Sequence, residues 1–435
     1  MVEQYQITGA AAAEIVASVE TGVRTGRLAP GAGLPSIRRL AADLGVAPAT
    51  VADAYRTLRQ RGVVETAGRH GTHVRHRPPV ASREPVTVPA GILDLSNGEP
   101  IPELLPTLET ALGRVRSAPG GYTTAGPYPR LVEVARTRLA QDGVSGDMTV
   151  TGGALDGIDR TLAAHLRPGD AIGVEDPTWP NLLDLVAAHG LRVVPIPVDD
   201  QGPTVAGLRA AVTARAAAVI LTCRAQNPTG AAITAERSQL LREVLAAAPD
   251  TLVIEDDHWG ELAEHPLHPV IGTTRHWVFL RSVSKPYGPD LRLAMVAGDA
   301  TTIARLEGRM RIGSGWVSTI LQQITVALME DPDAQAVIRE ASDHYGRKRR
   351  DLISALADRN VAATGVSGLN VWIPVPDETA AVTAVRDRGY AVAAGAHFRI
   401  NTPSAIRVTI AALPDDRVAD LAAAIAAVPS AAPAV

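Results

Sequence analysis

Six short runs of mostly β-branched and apolar residues, AIGVED, RVVPIPV, AAVILTC, TLVIEDD, WVFLRSV and LAMVAGD, recur between residues 171 and 299, with helical patterns between them. An antiparallel pair can be joined by a tight turn, whereas a parallel pair needs a crossover long enough to hold a helix. Strands alternating with helices therefore predict an α/β fold with a mostly parallel sheet. From about Asp331 the pattern changes to helices around a few strands (LNVWIPV, AIRVTIA), which predicts a small α+β C-terminal subdomain. In open α/β sheets ligands gather beyond the carboxyl ends of the strands, so the residues that follow each run are the ones to inspect for chemistry.

The first 75 residues read as a separate helical unit. Ile15, Val16, Val19 and Val23 keep a helical period. Ser36 is placed to cap a short helix with Ile37, Leu40, Ala41 and Leu44 inward, and Gly45 ends it. Pro48 suits the first turn of a second helix carrying Val51, Ala54, Tyr55 and Leu58. VVETAGRHGTHV then predicts a β-hairpin. Helix, tight turn, helix and hairpin make an N-terminal winged helix-turn-helix, and the alternative is a three-helix bundle with a hairpin appended. Charge favours a reader of double-stranded DNA: residues 1–80 carry ten Arg, no Lys and a formal charge of +4, while the remainder carries −8. The predicted organisation is a DNA-binding domain over 1–76, a proline-rich linker over 77–92 and a body over 93–430.

No apolar run reaches the roughly 18–20 residues that a bilayer span needs, and MVEQYQITGAAAAEIV has neither a basic start nor a leader core. The expectation is a cytoplasmic protein with no membrane partner. The single cysteine, Cys223, excludes an internal disulfide framework and a cysteine-cluster metal site, and no metal is expected.

Several strand ends carry groups that make sense around one ligand. TGGALDG (151–157) is a glycine turn opening a helix, where free N–H groups favour a phosphate. EDPTWP (175–180) places Trp179 where it could stack on a heterocycle or simply pack. QNPTG (226–230) offers the Asn227 amide. VIEDDHWGE (253–261) delivers a carboxylate at Asp256, while Asp257 fits a solvated acidic loop. SVSKPYGPDLRLA gathers Ser282, Ser284, Lys285 and Arg292, a set suited to a phosphate beside an aldehyde. The chain has two lysines: Lys285 within this motif, and Lys348, which reads as a solvated helix charge. Arg407, flanked by apolar residues in AIRVTIA, suits either an acidic partner or a ligand carboxylate.

The ordered set TGGA, DPTW, NPTG, EDD, SVSK and Arg292 resembles a fold-type-I pyridoxal 5'-phosphate (PLP) domain of the aspartate aminotransferase kind. GLPSIRRLAADLGVAPATVADAYRTLRQRGVVETAGRHGTHV resembles the GntR winged helix. The fusion resembles the MocR-type subfamily of GntR transcription regulators. This resemblance implies PLP as cofactor, an internal aldimine at Lys285, Asp256 on the pyridinium and Asn227 on the 3'-oxygen. It further implies Trp179 against the ring, and Gly153, Ala154, Leu155, Ser282, Ser284 and Arg292 around the phosphate. Tyr122 would reach the neighbouring subunit's phosphate in a homodimer, and Arg407 would receive an effector carboxylate. On the DNA side it implies Ser36, Arg38 and Arg39 at a backbone-contacting helix start, Ala49, Thr50, Tyr55 and Arg56 on the recognition helix, and Arg69, His70, Gly71 and Thr72 in the wing.

Two departures stand out: His258 stands where the family has Tyr, and Pro48 and Ala52 stand where the recognition helix usually carries Arg. The expected function is a regulator whose body senses a small amino compound or PLP itself, with vitamin B6 homeostasis as one setting. The alternative is a genuine PLP-dependent aminotransferase carrying a DNA module, with any half-reaction centred on Lys285.

Overall fold

The computed structural model describes residues 5–25, 27–29, 31–60, 63–66, 71–74, 88–116, 121–122 and 126–428. They form two compact units, one built on the N-terminal segment and one on most of the remainder.

The first unit holds α1 (Ala12–Arg24), α2 (Ile37–Leu44), α3 (Pro48–Gln60) and an antiparallel pair, β1 (Val64–Thr66) with β2 (Thr72–Val74). The Ser36 side chain accepts the Arg39 N–H at 3.3 Å, satisfying a donor that the first turn of α2 leaves open. Gly45 closes α2 in the left-handed region at φ +66°, where a side chain would strain the backbone. Ile15, Val16, Val19, Leu40, Val51, Ala54 and Leu58 are buried together with Val64 and Val74. Full burial of one large aliphatic side chain is worth roughly 1.5–3 kcal/mol, so the 51/54/55/58 spacing fixes which way α3 faces. Tyr55 belongs to that inward set. It is 2% exposed and its hydroxyl donates to the Pro35 carbonyl at 2.8 Å. Its expected place among the DNA-facing residues is therefore corrected: the side chain closes the core.

In the second unit β3 (Leu93–Asp94) is followed by β4 (Asp147–Thr151), β5 (Ala171–Asp176), β6 (Arg192–Asp199), β7 (Gly202–Pro203), β8 (Ala218–Thr222), β9 (Leu252–Asp257), β10 (Trp277–Ser282) and β11 (Ala294–Gly298). Eight of these make one sheet in the order β4-β11-β10-β9-β8-β5-β6-β7. β5, β8, β9 and β10 are mutually parallel, while β11 runs antiparallel to both β10 and β4. All six expected runs are strands. The parallel set brings Asp176, Thr222, Asp256 and Ser282 to one edge, which is why motifs scattered over 110 residues converge.

Beyond the helix Pro332–Ala357 lie β12 (Asn370–Pro374), β13 (Tyr390–Ala391), β14 (Ala393–Ala394) and β15 (Ala405–Thr409). β12, β15 and β14 form an antiparallel sheet, and β13 pairs in parallel with β3.

Two charges expected in solvent are buried instead. Asp257 is fully buried and bonded to Arg224 Nη2 at 2.7 Å and to Arg281 Nε at 2.8 Å. Burial opposes its ionisation, but the two guanidiniums overcome that and hold its carboxyl below the usual range. Lys348 is 7% exposed; its amine is held by the Leu413 carbonyl and by Asp415 at 2.8 Å. No helix among the described residues is long and apolar enough to cross a membrane.

Candidate cofactor site and DNA interface

Lys285 follows the end of β10, in the short helix Ser284–Tyr287. Its amine donates to the Gly98 carbonyl at 2.7 Å. Burial pushes the amine down to about 8, with nearby Glu99 opposing the fall and Arg407 adding to it. An amine so depressed is far more often neutral near pH 7, as a nucleophile toward a carbonyl must be.

Asp256 is the penultimate residue of β9, at 2% exposure. Its Oδ2 lies 3.5 Å from His258 Nδ1, and its Oδ1 is buried with no hydrogen-bond partner. A carboxylate oxygen removed from water and left unpaired is costly. A protonated ring nitrogen supplies the missing donor, so this orphan atom is the observation by which PLP fits the residues present. His258 takes the place of the family's Tyr and remains half-buried beside Asp256.

The residues expected around a phosphate also lie close together. Gly153 takes φ +109° immediately before the helix Ala154–His165, whose first residues are Ala154 and Leu155. The Arg292 guanidinium donates to the Gly152 carbonyl at 3.3 Å, and a Cβ on Gly153 would lie 3.2 Å from Arg292 Nη2. Ser282 accepts the Ser284 N–H at 3.2 Å. A positive fork and helix N–H groups beside a glycine turn form an anion cradle.

Asn227 and Arg407 meet: Arg407 Nη1 donates to Asn227 Oδ1 at 3.0 Å, and Arg407 Nη2 donates to the Ser96 carbonyl. The guanidinium carbon stands 4.6 Å from the Phe398 ring centre, while Nε is buried without a partner. Burial lowers Arg407 to about 10, with only distant support from Asp94. Among the described residues no carboxylate forms an ion pair with it; its hydrogen bonds go to Asn227 and to the Ser96 carbonyl instead of an acidic partner.

Trp179 follows β5, half-buried, on a loop whose anchoring is strong. The Asp176 carboxylate accepts the N–H groups of Ile400, Asn401 and Thr402 at 2.7–3.1 Å. Tyr122 is 89% exposed and meets Trp316 edge-on at 5.8 Å; it joins none of the other site residues. Sequence reasoning missed Ser96 and Gly98. The signal was the Asn97-Gly98 pair, since a Cβ on Gly98 would stand 3.1 Å from the Arg407 guanidinium.

On the DNA unit, Ala49 and Arg56 are exposed and Thr50 is half-buried on the outer side of α3. Arg39 pairs with Asp43 and Arg56 with Asp53, whereas Arg38 is exposed and has no ion-pair partner among the described residues. Thr72 lies half-buried in β2 and Gly71 is exposed at φ +83°; Arg69 and His70 lie outside the described residues. A free guanidinium beside a helix start suits a phosphate. Arg38→Ala is expected to weaken binding to every DNA sequence alike and to lower the slope of log affinity against log salt by about one. A fluorescence-anisotropy salt series checks this; a loss confined to one base position would assign Arg38 to base reading.

Residues 117–425 match the family model for aminotransferase class I and II, and residues 11–74 match that for bacterial regulatory proteins of the gntR family. The chain is 37% identical to the vitamin B6 salvage pathway transcriptional repressor PtsJ of Salmonella typhimurium, over 96% of this chain and 98% of that one. This chain is a MocR-type regulator. The MocR-type chain is also 26% identical to the transcriptional regulator TauR of Rhodobacter capsulatus, over 82% of each chain. The kynurenine aminotransferase of Pyrococcus horikoshii superposes on 78% of it and 90% of its own chain, with a TM-score of 0.68 at 22% identity, a likeness of fold. The MocR-type chain thus joins a GntR winged helix to a fold-type-I, PLP-binding body and is a DNA-binding transcription regulator.

Proposed function

We propose that the body of this regulator senses PLP or a carboxylate-bearing amino compound, and that its occupancy sets how strongly the winged helices of a homodimer hold their operator. PLP supplies an aldehyde for an amine and a ring that stabilises negative charge. Lys285 Nζ offers the amine, Asp256 the acceptor for the ring nitrogen, Asn227 a side-chain amide, Trp179 a ring face, and Arg292 with the Gly153–Leu155 turn the phosphate cradle.

The observation that carries this reading is the capping of both ligand-seeking cations by one stretch of main chain. Gly98 O holds Lys285, and Ser96 O holds Arg407. A ligand at either cation exchanges those carbonyls for its own atoms, in a segment that starts one residue after β3. Coupling requires that a ligand prefer one arrangement, and such preferences are worth about 1–3 kcal/mol, or 5–150-fold in affinity.

PtsJ bears the name of a vitamin B6 salvage repressor, which supports PLP as the signal in this chain. The exposed Tyr122 and the 72%-exposed Ile312 support a second copy as partner. A chromosome-bound regulator works in the cytoplasm.

The test is a set of operator-binding curves for apo protein, PLP-loaded protein and loaded protein with candidate amino acids, repeated with Arg407→Ala. If an amino acid is the signal, only the third curve shifts, by 5–150-fold, and Arg407→Ala cancels the shift. If PLP is the signal, apo and loaded curves differ and Arg407→Ala preserves the difference. Coincident curves throughout reject sensing. Steady turnover of an amino acid with a keto acid at ordinary enzyme rates would establish the aminotransferase reading instead.

A further inference from the structure

Glu175 is 1% exposed at the end of β5, and no cation pairs with it among the described residues. Its Oε1 accepts the Thr222 N–H at 2.8 Å; its Oε2 accepts the Thr222 hydroxyl at 2.8 Å and Gln226 Nε2 at 3.2 Å. Gln226, 1% exposed, uses its whole amide. Nε2 also donates to the Pro177 carbonyl at 2.7 Å, and Oε1 accepts both the N–H and the hydroxyl of Thr229, at 3.1 and 2.7 Å.

We infer that Glu175 is a positioning residue for the cofactor ring, fixing through Gln226 the spacing between the loop that carries Trp179 and the loop that carries Asn227. The inference rests on the reading that PLP lies between those loops.

The Pro177 carbonyl only accepts and the Thr229 N–H only donates, so Gln226 turns its NH2 toward Pro177 and Glu175; reversed, the amide oxygen would face the Pro177 carbonyl and the NH2 would face the Thr229 N–H. With NH2 so fixed, the second hydrogen reaches Pro177, two residues before Trp179, while the backbone continues directly into Asn227. The Pro177 carbonyl and the Thr229 N–H orient the Gln226 amide; Glu175 adds the bonds that tie this amide to Thr222 at the end of β8, which an apolar residue at 175 could not make. Burying this charge is costly, and burial together with the Asp256 charge raises the Glu175 carboxyl to about 7 against the pull of its three donors. Glu255 makes a useful contrast. It is equally buried, yet its hydrogen bonds go to Val270, Ile271 and Cys223, and it touches neither loop.

The test uses full-length protein. PLP is titrated into apo wild type, Glu175→Gln, Gln226→Met, Asn227→Ala and the Glu175→Gln/Asn227→Ala pair. Affinity and the pH midpoint of the bound cofactor's visible band are both recorded. Supporting partners of metal ligands typically change affinity 10–100-fold, and Glu175→Gln is expected to weaken PLP by about tenfold on that scale. Its band midpoint should move in the direction that Asn227→Ala moves it, with no further movement in the double variant. Gln226→Met, which leaves Glu175 its Thr222 bonds, should reproduce both effects. Wild-type affinity and midpoint in Glu175→Gln, or midpoint shifts that simply add, overturn the positioning role. Wild-type protein that takes up no PLP overturns the cofactor reading and this inference with it.

Discussion

Lys285→Ala protein, purified and then offered PLP, is expected to remain without the yellow absorbance that wild type develops. The other lysine cannot substitute, because the Lys348 amine is already bonded to Leu413 and Asp415. The same amine sets a pH dependence in wild type. An ordinary lysine at 10.5 is neutral about once in 3,000 molecules at pH 7, whereas one near 8 is neutral about once in ten, roughly a 300-fold gain. Protonation blocks the amine, so the rate of PLP uptake should climb as pH rises through 7 and flatten above about 8. Stopped-flow absorbance from pH 6 to 9.5 measures both limbs. A rate still climbing steeply at pH 9.5 would show an unperturbed amine, and a yellow Lys285→Ala protein would place the cofactor elsewhere.

Asp256→Ala is expected to move two observables in opposite directions. Breaking a buried charge pair by removing one member costs roughly 3–5 kcal/mol, so PLP affinity should fall by a factor on the order of 10²–10⁴. In the apo protein the same substitution removes a buried carboxylate oxygen that nothing satisfies, so apo stability should hold or rise. Absorbance titration and thermal melts of apo and loaded protein read the two effects. A melt that drops sharply in apo Asp256→Ala would mean that the carboxylate is structural and already satisfied.

Local pattern carried most of the architecture. The β-branched runs with helices between them gave the parallel order, and the motifs at their ends placed Asp256 and Lys285 at or just past the ends of parallel strands and Asn227 a few residues beyond β8. What failed was the fate of charges. Asp257 reads as part of an acidic loop because its partners, Arg224 and Arg281, lie 33 and 24 residues away and meet it only across neighbouring strands. Lys348 stands in an Arg-rich helix, and its partner Asp415 is 67 residues downstream. Tyr55 is a different case. Its position in the 51/54/55/58 stripe marks it as core, whereas the GntR likeness implies a DNA-facing side chain; the periodicity is what the packing follows. Ser96 and Gly98 were invisible because their part is played by main-chain carbonyls, which every residue possesses.

The short pairing of β3 with β13 gives the small subdomain a particular authority. Leu93 and Asp94 are stitched to Tyr390 and Ala391 rather than to the eight-stranded sheet. A shift of that subdomain would carry Leu93 and Asp94 with it. A second stitch at that seam, such as an engineered cross-link, would set how much of a shift in the small subdomain is felt at Leu93 and Asp94.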